Sequence, residues 1–312
     1  MTSAGVPDPT VDEHVFLVGR PPINEYLGFI RLMAKDGQSA DQRQLIDEWR
    51  SANDHVVSLE TTEAGFADNP AIQALPTSLS VFRDEVLKNS VFQRAFRLLP
   101  TEFALVELDK LVVFQKFINL AFVAKIKEQL GLKPTQESIF RVALSLDRRD
   151  PPVQLKQTAG NIYAFVSPSN DFRFLEATLI DPQKVADFTS TGPTVAILAL
   201  AVGYGSNYLS AVHVENRLVL SNGSHRAFAL RDLGVTHAPC LVQKVSRRDE
   251  IELVGLEDLK ENPDRYLKAR RPPLLKDYFD TQLRKAILVP RKNRLVRLSF
   301  GYEQVDIPAG TG

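Results

Sequence analysis

The chain has 312 residues, 44% of them hydrophobic, with equal numbers of acidic and basic side chains and a formal net charge of zero. Such a composition excludes a disordered or collagen-like chain and predicts a globular one of about two domains. One cysteine, Cys240, excludes an internal disulfide framework, and no uncharged apolar run approaches the roughly 20 residues that span a bilayer.

Met1 to Thr10 lacks the basic-then-apolar form of a secretory signal, so a cytoplasmic protein is expected. Pro22–Lys35 and Asp41–Asn53 carry apolar residues at helical spacing, with Asp41 as a cap, and Ser78–Leu99 continues the pattern to Pro100. In Thr101–Leu130 the residues Phe103, Val106, Leu111, Phe114, Ile118, Ala121 and Val123 cover more than one face. The spacing predicts the central helix of a helical domain over 1–150, with Glu107, Asp109 and Lys110 in surface pairs. At Asp147-Arg148-Arg149-Asp150-Pro151-Pro152 helical spacing gives way to charge and proline, which places a domain boundary there and a second domain over 151–312.

Beyond it, Ile162–Val166 and Phe174–Ile180 read as strands, the latter ending at Asp181-Pro182. Val195–Val202 reads as a buried strand or a buried helical segment, and periodicity does not separate the two. Gly203-Tyr204-Gly205-Ser206-Asn207 reads as a loop. Leu209–Val214 and Leu218–Leu220 form a hairpin around the polar break at Asn216-Arg217. The chain then reaches Asn222-Gly223 and a short helix from Ser224, its expected N-cap, to the closing Gly234. A strand that opens into a helix through a glycine directs unpaired N–H groups and the positive helix end at one spot, with His225 and Arg226 beside it. That spot suits phosphate.

The run Asn222-Gly223-Ser224-His225-Arg226-Ala227, followed by Ala229-Leu230, Leu233-Gly234 and Ala238-Pro239-Cys240-Leu241-Val242, resembles the signature segment of the ParB/sulfiredoxin superfamily over roughly residues 174–245. The resemblance implies an α+β unit in which Asn222, Gly223, Ser224, His225 and Arg226 hold the phosphates of ATP or CTP. It also implies departures. Ser224 stands where the sulfinic acid reductases carry their cysteine, so thiol chemistry is disfavoured. The partition proteins have two arginines where this chain has His225 and Arg226, and no helix-turn-helix follows. The free-serine kinases have an acid and a further histidine where this chain has Asn222 and Ser224.

From Lys260 to Phe300 basic residues far outnumber acidic ones. They could attract a polyanion, with Tyr266, Tyr278 and Phe279 available for stacking, but the neutral whole chain favours pairing with the acidic first domain over nucleic acid. The expected architecture is therefore a helical N-terminal domain followed by a ParB/sulfiredoxin-like α+β domain with a basic C-terminal extension. The expected function is an ATP or CTP hydrolase or phosphotransferase, with magnesium. His225, and Glu176 or Asp181 as base or metal partner, would carry the chemistry; no metal ligand set is legible. Two alternatives stand beside it. One is a non-catalytic adaptor that binds nucleotide or nucleic acid and docks a protein on its helical domain; the other is a ParB-like nuclease, unsupported by any dense Asp/Glu/His cluster.

Overall fold

The computed structural model describes residues 10–186 and 189–307; the leader before Thr10 lies outside them. In chain order β1 (Val11–Leu17) is followed by α1 (Ile23–Met33), α2 (Gln42–Thr62), β2 (Ile72–Ala74), α3 (Ser80–Lys88) and α4 (Ser90–Ala95). Next come β3 (Thr101–Glu107), β4 (Phe117–Asn119), α5 (Leu120–Leu130) and α6 (Gln136–Ala143). Four strands follow: β5 (Gln154–Ala159), β6 (Ile162–Ser167), β7 (Phe172–Ile180) and β8 (Ile197–Tyr204). The chain ends with β9 (Ser210–Val214), β10 (Arg217–Asn222), α7 (Ser224–Asp232), β11 (His237–Val245), α8 (Glu257–Glu261), α9 (Pro263–Leu267), β12 (Arg284–Pro290) and β13 (Arg294–Ser299).

The expected helical N-terminal domain is not there. The protein is mixed, 36% helical and 28% strand, with several sheets, and four of its strands precede residue 150. The error centres on Thr101–Leu130, which is β3, a short 3-10 turn, β4 and only then a helix. The apolar residues that look like several faces of one helix are divided among separate short elements, and in β3 they alternate, with Ala104 and Val106 buried and Phe103 and Leu105 half-buried. β3 pairs antiparallel with β11 on one edge (Val106 opposite Ala238) and with β2 on the other (Val106 opposite Ile72). The helix expected over Ser78–Leu99 is interrupted at Asn89, whose side chain accepts from the Val91 N–H at 2.8 Å and caps α4. Asp41 caps α2 as its sequence suggests, accepting from the Arg43 N–H at 2.8 Å.

The chain forms two compact units, one made of the residues up to Arg148 together with Ser206–Arg291, the other of Arg149–Gly205 with the chain from Lys292 on. In the first, a five-stranded sheet runs β10-β9-β11-β3-β2 and a three-stranded sheet runs β12-β1-β4. β9 and β11 are parallel, so the chain crosses over between them, and α7 is that crossover. Leu209, Ala211, Leu218, Leu220, Ala227, Leu230 and Leu241 of this crossover join Val106, Leu108 and Leu111 in the largest apolar cluster. Basic residues of the C-terminal third are paired inside this unit. Arg271 Nε and Lys276 Nζ donate to Glu63 at 2.9 and 2.8 Å, Lys285 to Glu48 and Arg291 to Asp12. Tyr266 and Tyr278 are buried, and Phe279 is stacked on Phe228 at 4.5 Å.

The second unit holds a sheet of order β13-β6-β5 and the two-stranded ribbon β7-β8. Val195–Val202, the most apolar run of the sequence, lies in and before β8, and it is a strand whose leucines are exposed: Leu198 is 62% accessible and its cross-strand partner Leu179 is 72%. Gly203 and Tyr204 belong to that strand rather than to a loop. Among the described residues no helix is long and apolar enough to cross a membrane.

Candidate functional site at the start of helix α7

β10 delivers the chain to Gly223, the residue before α7, with φ +94. Both the left-handed backbone and the packing require glycine, since a Cβ there would sit 2.7 Å from Leu209 Cδ1. No side chain caps α7, and Ser224 is its first residue rather than its N-cap. The first-turn N–H groups have no partner inside the helix, so an oxygen-bearing ligand would meet them together with the Ser224 hydroxyl. Asn222 Nδ2 donates to Ser206 O at 2.8 Å, which fixes the strand end.

Arg226 is placed inward. It is 5% exposed. Its Nη1 donates to Ala143 O at 2.9 Å, to Ser145 Oγ at 2.8 Å and to Asn207 O, and its Nη2 donates to Asn207 Oδ1 at 2.8 Å. One guanidinium thus ties α7 to the end of α6 and to the segment that enters β9. His225 Nε2 accepts from the Asn119 N–H at 3.0 Å, and the ring stands edge-on to Phe122 at 5.3 Å. Burial, with smaller contributions from His14 and Arg226, pushes the His225 imidazole down to about 4. The ring is neutral at pH 7, and because Nε2 accepts, the proton resides on Nδ1.

The structure adds three residues that the sequence had not singled out. Asn119 caps α5 through Oδ1, which accepts from the Phe122 N–H at 3.1 Å, while its Nδ2 donates to Asp12 Oδ2 at 3.1 Å. Burial raises the Asp12 carboxyl, but hydrogen bonds from Arg291 and Asn119 outweigh it and hold the group below the ordinary carboxylate value. His14, two residues along β1, is buried and stacked on Phe117 at 5.2 Å, and its Nδ1 has no hydrogen-bond partner. Burial keeps His14 neutral by lowering its pKa. The signal was available in Val11–Leu17, VDEHVFL, because residues two apart on a strand share a face.

Glu176 and Asp181 belong to the second unit. Glu176 follows a bulge in β7 and stands opposite Ala201, and Asp181 caps the turn Pro182–Lys184, accepting from the Gln183 N–H at 3.0 Å. Within the first unit, the carboxylate connected to His225 is Asp12, through Asn119. Among the described residues no group of three or more His, Cys, Asp or Glu side chains is placed to hold a metal ion. Cys240 is fully buried in β11, and burial pushes its thiol far up, so it is chemically inert. Set against protein-family models, curated proteins and solved structures, the chain matches none.

Proposed function

We propose that the chain binds a nucleoside triphosphate, ATP or CTP, by its phosphates at the start of α7, with magnesium carried in on the phosphate oxygens. One observation carries this: β10 opens into α7 through Gly223 with no side-chain cap, leaving the N–H groups of Ser224 and His225 and the Ser224 Oγ as donors. The order Asn222-Gly223-Ser224-His225-Arg226 and its resemblance to the ParB/sulfiredoxin signature support the same reading. His225 contributes Nδ1–H as a neutral donor. Arg226 is a positioning residue, whose bonds to Ala143 and Asn207 set the helix start.

Hydrolysis or phosphoryl transfer is the reading to be tested against binding alone. Binding alone is favoured by the weak basicity of His225, which makes it a poor general base at pH 7. Titration with ATP, CTP, GTP and ADP, with and without magnesium, followed by product analysis, separates the two. Ser224→Asp is the decisive variant. An acid in the first turn suits the helix dipole, so the fold is kept, while the added charge repels phosphate. Saturable nucleotide binding that Ser224→Asp abolishes is the expected result; a lack of saturable binding by the wild type removes the proposal.

A further inference from the structure

The second unit leaves one strand edge open. Among the described residues β8 pairs with β7 alone, so the N–H and C=O groups along its far edge have no strand to meet. Open edges invite pairing with another chain, and proteins blunt them with charge, proline, bulges or short length. The other edges are treated in this way. β2 and β4 have three residues each, β12 carries Arg284, Lys285 and Pro290, β13 carries Arg294 and Arg297, and β5 carries Lys156. The edge of β10 is covered by Val112, whose N–H donates to Leu218 O at 2.9 Å and whose carbonyl accepts from the Leu220 N–H at 2.8 Å. β7 has a bulge between Phe174 and Glu176 and carries the charges of Arg173 and Glu176. β8, ILALAVGY, has no charge and no proline, and the bulge in its pairing lies on β7.

What fits this edge is the same edge of a second copy. Pairing with a different protein is specified by charges and polar groups that match across the contact, and the side chains of β8 from Ile197 to Gly203 offer none. The strand does match itself. When it runs antiparallel to a second β8 about a two-fold axis at Leu200, Ile197 faces Gly203, Leu198 faces Val202 and Ala199 faces Ala201, so the bulkiest side chains stand opposite smaller ones. That axis is perpendicular to the sheet, so the exposed face of Leu179, Leu198 and Leu200 continues from one copy into the next. A two-stranded ribbon is marginal in water, whereas four strands make a more stable sheet. The formal net charge of zero leaves no long-range repulsion between copies. The arrangement also closes, because its outer edges are the bulged and charged β7 strands, which stops growth at two copies. One strand edge is a small contact, below the roughly 1,200 Å² of stable complexes, so the dimer is weak, with a dissociation constant of about 1 to 100 μM.

We infer that the free edge of β8 is a homodimer interface, in which β8 pairs antiparallel with β8 of a second copy to form a sheet of order β7-β8-β8-β7. The inference does not depend on the nucleotide reading, since β7 and β8 lie outside the unit that carries α7. Sedimentation equilibrium of the full chain over about 1 to 300 μM tests it, and a monomer–dimer equilibrium is expected. Leu200→Lys places like charges opposite each other on the two-fold axis and should raise the dissociation constant at least about tenfold. Leu179→Lys, which interrupts the same apolar face from β7, should leave it within about twofold. Leu200→Cys reads the register. Two such cysteines stand directly across the axis, with about 4.5 to 5.5 Å between Cα atoms, and join as a disulfide when oxidised glutathione takes up their electrons and is reduced. Cys240 is fully buried and takes no part. Covalent dimer should therefore form well ahead of that in Leu179→Cys. A chain that sediments as a monomer over the whole range overturns the inference and leaves the edge to a strand of another protein. Equal weakening by Leu179→Lys overturns it in favour of stacked leucine faces, and crosslinking no faster in Leu200→Cys than in Leu179→Cys overturns it as well.

Discussion

At the scale of single residues, burial changes what the two basic side chains of the site can do. Arg226 reads from the sequence as a phosphate ligand, yet its donors are spent on Ala143, Ser145 and Asn207. Removing it leaves those acceptors unsatisfied in a dry interior, so Arg226→Ala should cost roughly 3 kcal/mol of folding stability, read as a lower urea midpoint without ligand. A variant as stable as the wild type would show that these bonds contribute nothing. His225 gives a pH prediction of definite sign. Its folded value of about 4 lies below the roughly 6.5 of an unfolded histidine, so between these values the unfolded chain binds the extra proton. Stability is therefore fully present above about pH 6.5 and falls by up to about 3 kcal/mol as pH drops toward 4, with His14 adding in the same sense. The carboxylates held low, Asp12 and Glu63, act at still lower pH. Denaturation at pH 7.5 and pH 5 should show the loss in wild type and a smaller one in His225→Gln, whose amide oxygen can still accept from Asn119; equal losses would place the effect elsewhere.

At the scale of elements, apolar character and burial part company in an instructive way. The run Val195–Val202 is the more apolar, but the leucines of β8 face solvent, whereas Leu209 and Val212 beside β9 and within it are completely buried. Leu209→Ala should cost about 2 to 5 kcal/mol by leaving a cavity, while Leu198→Ala on the exposed ribbon should change stability by no more than about 0.5 kcal/mol. Thermal unfolding of the two variants checks this, and a larger loss at Leu198 than at Leu209 would reverse it. The hairpin, Gly223, α7 and Gly234 were legible because each is fixed by local chemistry: alternation, a polar turn, and two glycines at positive φ. β3 was not legible, because what makes it a strand is its pairing with β11 and β2, one of them more than a hundred residues away in sequence. The Asp12–Asn119–His225 chain was hidden for the same reason. Its three members come from β1, from the junction of β4 and α5, and from α7, and only the sheet β12-β1-β4 brings the first two together.

At the scale of the whole molecule, long-range pairing decides which pieces of chain fold alone. Residues 1–150 look self-sufficient in sequence, but β1 pairs along its full length with β12, from Val11 opposite Pro290 to Leu17 opposite Arg284. β3 pairs with β11 over Thr101–Glu107, and the apolar cluster around Val106 and Leu111 is completed by Leu209, Leu218 and Leu241. The fragment 1–150 therefore lacks two strand partners and a large part of its core, and it should unfold without a cooperative transition. The ends of the segment that leaves this unit lie close together, since the Leu209 N–H donates to Ala143 O at 2.7 Å and Ser145 Oγ donates to Asn207 O. Loop closure across so small a gap is entropically cheap, so joining Arg148 to Ser206 through a short Gly-Ser linker, with the chain ended after Arg291, should yield a folded first unit. Trp49 is the single tryptophan, and its Nε1 donates to Pro21 O at 2.9 Å, which makes its fluorescence a reporter of this unit alone. Urea titration should give one cooperative transition for the spliced chain and a gradual drift for 1–150. A cooperative transition in the 1–150 fragment would mean that the first four strands close a core without β11 and β12, and would return the chain to the division its sequence suggests.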